Sequence, residues 1–261
     1  MNNPEEITKQ FAASGSYKSS MPAVKFIIIA VLGGAFIAMG GLLSLIVSGG
    51  MGGIGAGNPG LVKFVAGALF PVGLIMVSIT GADLFTSDCT AFTLPLLERK
   101  LRFVSFLKLL LLSYLFNFAG TQVVAYVLSS DLGYFAADPW QSYLYRYTEA
   151  KVYQSWGVVF VKGIGANWLV CLGMFMGYAA KDIIGKCIGI WIPVMIFVTL
   201  GYEHSIANMF FVPAAIYSGS DITWIDFICK NLIPATLGNL AGGAVFVGCV
   251  YWYLHLYSKV K

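Results

Sequence analysis

The chain has 261 residues, 58% hydrophobic and only 11% charged, with a mean hydropathy of +0.80 and a net charge of +4. Soluble domains carry about 25% charged residues, so this composition excludes a soluble enzyme and describes an integral membrane protein. No basic cluster interleaved with aromatics supports a nucleic-acid partner. The five cysteines are scattered, without a CxxC or a histidine at ligand spacing, and read as packing residues; neither a metal nor a cofactor is expected.

Residues 1–22 are polar, with Glu5, Glu6, Lys9 and Lys18, and lack the apolar stretch of a signal peptide. Apolar runs follow at 24–48, 61–97, 104–128, 155–180, 187–217 and 232–257, each able to hold a span of ~20 residues. The second and fifth are longer than one span requires, and each is interrupted. The first interruption reads Gly81-Ala82-Asp83-Leu84-Phe85-Thr86-Ser87-Asp88; the second reads Gly201-Tyr202-Glu203-His204-Ser205-Ile206-Ala207-Asn208-Met209. The pieces after them, 90–97 and 209–217, are too short to cross a bilayer. The expectation is an all-α membrane protein of six spans, spans 2 and 5 broken, in one transmembrane domain over 1–261: an N-terminal segment 1–23, a first repeat 24–128 and a second repeat 154–257.

Loop charges orient these spans. With a cytoplasmic N-terminus, eleven lysines and arginines, from Lys9 to Lys261, fall on the inner side. Only Lys63, Arg146, Lys151 and Lys230 fall on the outer side. The positive-inside rule then puts both termini in the cytoplasm of a multi-pass protein, for which the cell membrane is the expected site. The outer loop 129–153 is rich in tyrosine, as an interface would be.

The two halves echo each other in order. Gly34-Ala35-Phe36-Ile37 resembles Gly165-Ala166-Asn167-Trp168. Pro71-Val72 precedes the first break as Pro193-Val194 precedes the second, and Asn117-Phe118-Ala119-Gly120 matches Asn239-Leu240-Ala241-Gly242. Three spans per repeat is an odd number, so the halves face opposite ways, and inverted repeats with broken helices set the substrate path near the midplane.

Ionisable groups inside spans are costly and mark pathways, and histidine titrates near neutral pH; His204 is therefore the transport candidate. Asp83 and Glu203, at corresponding places in the breaks, read as acceptors for backbone N–H groups freed there, with Ser87 and Asn208 as further support. Lys162, too deep to be left alone, is expected to pair with Asp83 or Glu203.

The two interruptions, together with Asn167-Trp168-Leu169-Val170-Cys171-Leu172 and Asn231-Leu232-Ile233-Pro234-Ala235-Thr236-Leu237-Gly238-Asn239, resemble the formate/nitrite transporter family over nearly the whole chain. The resemblance implies an aquaporin-like protomer in a homopentamer, with one pore per protomer. The pore would pass small monovalent anions such as formate, nitrite or hydrosulfide, often with a proton. It places His204 and Thr86 face to face at the pore centre with Asn167 beside them. It makes Phe70 and Phe197 an outer constriction, Leu74 and Leu84 an inner one, and Lys151 an outer-vestibule lysine. Asp88, Cys89 and Tyr202 depart from better-known formate channels and leave the preferred anion open.

Burying a small ion costs several kcal/mol even after relaxation. Protonating a carboxylate of pKa near 4 at pH 7 costs roughly 4 kcal/mol. This favours passage as the neutral acid, with His204 or water ordered by it supplying the proton; a His204 that charges transiently would instead stabilise the anion directly, and the sequence does not separate the two. Three other classes fit worse. A membrane enzyme would need a nucleophile, base and orienting group. An aquaporin-type channel for neutral solutes would carry Asn-Pro-Ala at its breaks. A structural protein has no reason to bury a histidine.

Overall fold

The computed structural model describes residues 1–257, whose elements are all helices; Lys259 and Lys261, counted above among the inner charges, lie outside them. The chain begins with α1 (Pro4–Ser19), started by a capping box in which Asn3 and Glu6 bond each other's backbone N–H. The polar N-terminal segment is thus not a bare tail. Ile7, Phe11, Ala12 and Gly15 bury one side of α1. Phe11 packs on Tyr178 with centroids 5.2 Å apart, and Asn2 N–H donates to the carbonyl of Ala179 at 3.1 Å. Sequence patterning missed this helix because its apolar residues are few and spaced by glycine, alanine and lysine.

Among the described residues, five helices are long and apolar enough to cross a membrane: Ala23–Gly49, Pro59–Thr80, Phe103–Ser130, Trp156–Ala179 and Trp224–His255. In chain order, α2 is Ala23–Gly49 and α3 is the short Gly52–Gly57. Next, α4 (Pro59–Leu69) runs on into α5 (Val72–Thr80). Beyond the first break lie α6 (Phe85–Ala91) and α7 (Thr93–Leu97). α8 (Phe103–Gln122) widens to π-helical turns over Val123–Ser130. The tyrosine-rich segment expected as an interfacial loop contains α9 (Trp140–Val152), whose Leu144, Thr148, Lys151 and Val152 are buried. Trp140 ties its start to the Ile46 carbonyl of α2 at 2.9 Å. α10 (Trp156–Ala179) crosses next. The fifth apolar run is divided into α11 (Ile183–Thr199) and α12 (Ser205–Tyr217), each short of a full span. The last crossing is built from α13 (Trp224–Asp226), α14 (Ile233–Ala241) and α15 (Val250–His255), joined by π-helical turns.

Outward-facing side chains such as Leu111, Val161, Ile188 and Leu254 are apolar, as lipid or a neighbouring copy requires, while the polar side chains gather inside. The polar interior depends on two close helix crossings, α2 on α8 and α10 on α14. A Cβ on Gly120 would stand 2.8 Å from the Ala35 nitrogen; one on Gly238 would stand 2.9 Å from the Gly163 Cα. Only the absence of a side chain lets these backbones touch. Gly238→Ala is therefore expected to lower the thermal unfolding midpoint in detergent by the equivalent of about 1–3 kcal/mol of overpacking. Gly60→Ala, whose Cβ meets nothing within 4 Å, is expected to leave it unchanged.

Candidate functional site

Both breaks begin the same way. Gly81 ends α5 with φ +75° and Gly201 follows α11 with φ +70°, a conformation costing other residues about 1–2 kcal/mol. The chain then extends, with Leu84 (φ −139°, ψ 121°) before α6 and His204 (φ −102°, ψ 113°) before α12. An interrupted helix leaves N–H and C=O groups unpaired, and deep in a membrane no bulk water serves them.

Two asparagines answer most of that need. Asn117 on α8 accepts the Phe85 N–H at 2.8 Å and donates to the carbonyls of Ala30 and Asp83 at 2.7 and 3.0 Å. Asn239 on α14 accepts the Ser205 N–H at 2.8 Å and donates to the carbonyls of Gly163 and Glu203, both at 2.8 Å. The N–H of Asp83 reaches the Ile29 carbonyl on α2, and that of Glu203 reaches the Lys162 carbonyl on α10. These bonds match Ile29 with Lys162 and Ala30 with Gly163. Gly34 therefore corresponds to Asn167 and not, as the sequence echo suggested, to Gly165. The roles of Asn117 and Asn239 were not assigned from sequence. Their signal was present, since each opens a matched tetrapeptide, but an asparagine that bridges two helices is invisible without the crossing.

The two carboxylates do something other than cap freed N–H groups, which corrects the expectation. Glu203 accepts from side chains: Lys151 Nζ at 3.2 Å, Gln154 at 3.0 Å, Asn208 at 2.7 Å and Asn231 at 3.2 Å. Asp83 accepts from Ser113 Oγ at 2.6 Å and pairs with Lys18 Nζ at 2.6 Å. They fasten elements distant in sequence, α9 and α1, to the breaks. Ser87 gives the break no support, since its hydroxyl has no hydrogen-bond partner among the described residues. Asn208 supports it through Glu203 and Asn231.

The remaining polar residues converge between the breaks. His204 and Thr86 are 2% and 0% exposed, with Nε2 and Oγ1 2.9 Å apart. His204 Nδ1 accepts the Ala207 N–H at 3.0 Å, so this nitrogen carries no hydrogen. The neutral ring then has its hydrogen on Nε2, aimed at Thr86. Asn167 does not reach either side chain. It donates to the backbone carbonyls of Thr86 and Asn239, at 3.0 and 2.6 Å, and so joins one break to the asparagine of the other.

On the α9 side, a cavity of about 570 Å³ is lined by Lys63, Arg146, Lys151, Lys162 and Glu203 among others. Tyr147, Lys151, Val198 and Gly201 form its floor and also the roof of a second space of only about 10 Å³, which continues to Phe70, Phe197 and His204. That volume is about one water-sized sphere. Phe70 and Phe197 meet edge to face at 5.9 Å, and Phe197 stacks on the His204 ring at 5.7 Å. Phe211, not singled out from sequence, closes the third side, 6.2 Å from Phe70. Leu74 and Leu84 are each 1% exposed, on α5 and at the start of α6.

Lys151 is 7% exposed, with its Nζ also over the rings of Tyr147 and Phe211 at 5.3 and 5.9 Å; this is a buried, paired lysine lining the cavity. Lys162 pairs with neither Asp83 nor Glu203 directly. Its Nζ donates to Gln154 Oε1 at 2.5 Å, and Gln154 in turn donates to Glu203, so the second lysine stays turned toward the cavity.

A family model for the formate/nitrite transporter matches residues 5–253. The chain is 42% identical to a probable formate transporter of Methanothermobacter thermautotrophicus, covering 97% of both chains. It is 36% identical to the formate channel BtFdhC of Bacillus thuringiensis, covering 100% of this chain and 99% of that one. Among solved structures, a chain described as an FNT family ion channel superposes with a TM-score of 0.88 at 27% identity, covering 95% of this chain and 98% of the other. A pentameric formate channel with formate bound gives 0.78 at 30% identity, covering 90% and 98%. With its apolar crossing helices and these relatives, this membrane protein belongs to the formate/nitrite transporter family, a family of channels and transporters and not of enzymes.

Proposed function

We propose that this chain passes small monovalent anions of weak acids, formate first, through a pore in each protomer of a homopentamer in the cell membrane, with both termini cytoplasmic. The matched bonds at the two breaks support a protomer of six spans in two inverted three-span repeats, an aquaporin-like plan. The observation that carries the functional reading is the sequence of environments along one path. A wide vestibule with four cationic side chains and one carboxylate narrows to an apolar ring of Phe70, Phe197 and Phe211, directly in front of His204. The cations concentrate anions; the ring admits a small solute more readily uncharged than charged. The relatives named for formate and the neighbouring pentamer with formate bound favour this anion, with nitrite and hydrosulfide as the same chemistry.

Within this reading, Lys151 holds the anion at the vestibule floor, and protonation lets it pass the ring. At the centre the chain Nε2–H···Oγ1–H directs the Thr86 hydroxyl hydrogen onto the substrate. Proton transfer at the histidine then requires Nδ1 to take up a proton first, on release of the Ala207 N–H; the imidazolium passes its Nε2 hydrogen to Thr86 Oγ1 as the Thr86 hydroxyl hydrogen goes to the anion, and the neutral ring is restored with its hydrogen on Nδ1. Leu74 and Leu84 form the matching inner constriction, and Asn167 keeps Thr86 in register with the second break.

The direct test is uptake of formate, nitrite, hydrosulfide and lactate into proteoliposomes at two pH values, with osmotic swelling in parallel. Formate uptake that quickens as the external pH falls is expected, because a lower pH reduces the cost of forming the neutral acid; swelling by neutral solutes without anion uptake would overturn the reading. His204→Asn keeps a side chain able to cap α12, so folding should survive. Loss of a proton-transfer group costs about 10²–10⁴ in rate; a variant retaining both rate and pH dependence excludes the histidine from proton transfer. Lys63 and Arg146 are exposed vestibule residues. The double variant Lys63→Gln/Arg146→Gln is expected to raise the half-saturating formate concentration several-fold at low salt. The difference should shrink at about 1 M salt, where screening shortens to about 3 Å, with the maximal rate unchanged throughout.

A further inference from the structure

The N-terminal flank of the first break contains a second ion cluster, built like the one around Lys151. Lys18 stands eleven residues before Ile29, as Lys151 stands eleven before Lys162, and those two carbonyls accept the corresponding N–H groups of Asp83 and Glu203. Lys18 Nζ pairs with Asp83 as Lys151 Nζ pairs with Glu203. Five residues after each carboxylate the two clusters diverge: Asn208 follows Glu203, whereas Asp88 follows Asp83.

The difference is one hydrogen. Asn208 Nδ2 donates to Glu203 Oε2 at 2.7 Å. Asp88 occupies the same register with a carboxyl group that is 0% exposed and meets the same Lys18 Nζ as Asp83. One of its oxygens meets Lys18 Nζ at 2.7 Å, and the other, Oδ2, is buried with no hydrogen-bond partner among the described residues. Two carboxylates and one ammonium leave this cluster one negative charge in excess, where the Lys151–Glu203 cluster is neutral. The other ionisable side chains around α6 do not compensate. Cys89 and Cys171 are the near ones; Tyr114 on α8 is engaged with Thr236 and His204 with Thr86. Adjacent buried carboxyl groups resolve such an excess by sharing a proton.

We propose that Asp83 and Asp88 share one bound proton beneath Lys18, forming a proton-binding site on the N-terminal flank, separate from His204. Binding takes the proton from hydronium, forming an O–H bond at Asp88 and releasing water; the Lys18 side chain, 13% exposed, leaves the cluster within reach of solvent. The bound proton supplies the hydrogen that Asn208 supplies in the other cluster. On the anion-transport reading, it also removes the excess negative charge that an anion would meet on leaving toward the N-terminus. Alkalinity on that side strips the proton and slows anion passage.

Infrared difference spectroscopy of the full-length protein during an alkaline titration tests the site without reference to transport. Wild type should show a protonated-carboxyl band that disappears on titration and is absent from Asp88→Asn. No such band in wild type, or an unchanged band in Asp88→Asn, overturns the proposal. Asp88→Asn copies the arrangement around Asn208, so it should fold, and its thermal unfolding midpoint checks this. Glu203→Gln should keep the band; its loss there would assign the proton to the other cluster and refute the assignment. In vesicles with the N-terminal side of known orientation, alkalinisation of that side should slow formate flux directed toward it several-fold in wild type and leave Asp88→Asn unaffected. Equal slowing in both refutes the site, whereas absence of anion flux in either protein refutes the transport reading alone.

Discussion

Interrupting a helix inside an apolar protein leaves backbone donors and acceptors that must be paired by other side chains, because no solvent is available to pair them. The rest of this structure follows from that requirement, met twice. Each break is held by one asparagine making three hydrogen bonds, one accepted from the restarting helix and two donated to carbonyls. An asparagine can do this only if its own helix lies almost against the neighbouring one. That closeness explains the glycines at the α2–α8 and α10–α14 crossings, where a Cβ would collide with the facing backbone. Polar bonding in the centre and bare backbone at the crossings are one constraint seen from two places.

The same breaks create the site. Because the chain is extended at Leu84 and His204, the helices that restart there point their first turns at each other, and Thr86 and His204 meet at 2.9 Å. The cap that His204 gives Ala207 fixes which nitrogen carries the hydrogen, so fold and proton placement are set by one bond. The ion clusters act a shell further out. Removing one partner from a buried pair such as Lys151–Glu203 costs about 3–5 kcal/mol, and four side chains converge on this glutamate. The lysine that lines the cavity is therefore also a structural tie between α9 and the second break.

Much of this was legible in the sequence. Composition and the length of the apolar runs determined a helical membrane protein, because a bilayer accepts few other solutions. A histidine inside an apolar run pointed to the candidate site, because an ionisable group in a membrane span is costly to bury. The polar segments beginning at Gly81 and Gly201 marked the breaks, whereas the tetrapeptides at Asn117 and Asn239 marked only a repeat. The helix of residues 4–19 and the helical packing of residues 140–152 escaped, because neither is apolar enough to stand out; their stability comes from what they are packed against.

Partners across the fold were decided by tertiary structure alone. The sequence placed Glu203 and Asp83 correctly as members of the breaks but could not say that they bind Lys151 and Lys18 rather than backbone. Those lysines lie 52 and 65 residues away in the chain (203 − 151 and 83 − 18). It marked Lys162 as too deep to be free but not that Gln154 stands between it and Glu203. Local chemistry fixes what a residue needs, whether a donor, an acceptor or a counter-charge. Which neighbour meets the need depends on helix crossings whose closeness is set by glycines on two helices at once, and only the folded chain brings those together.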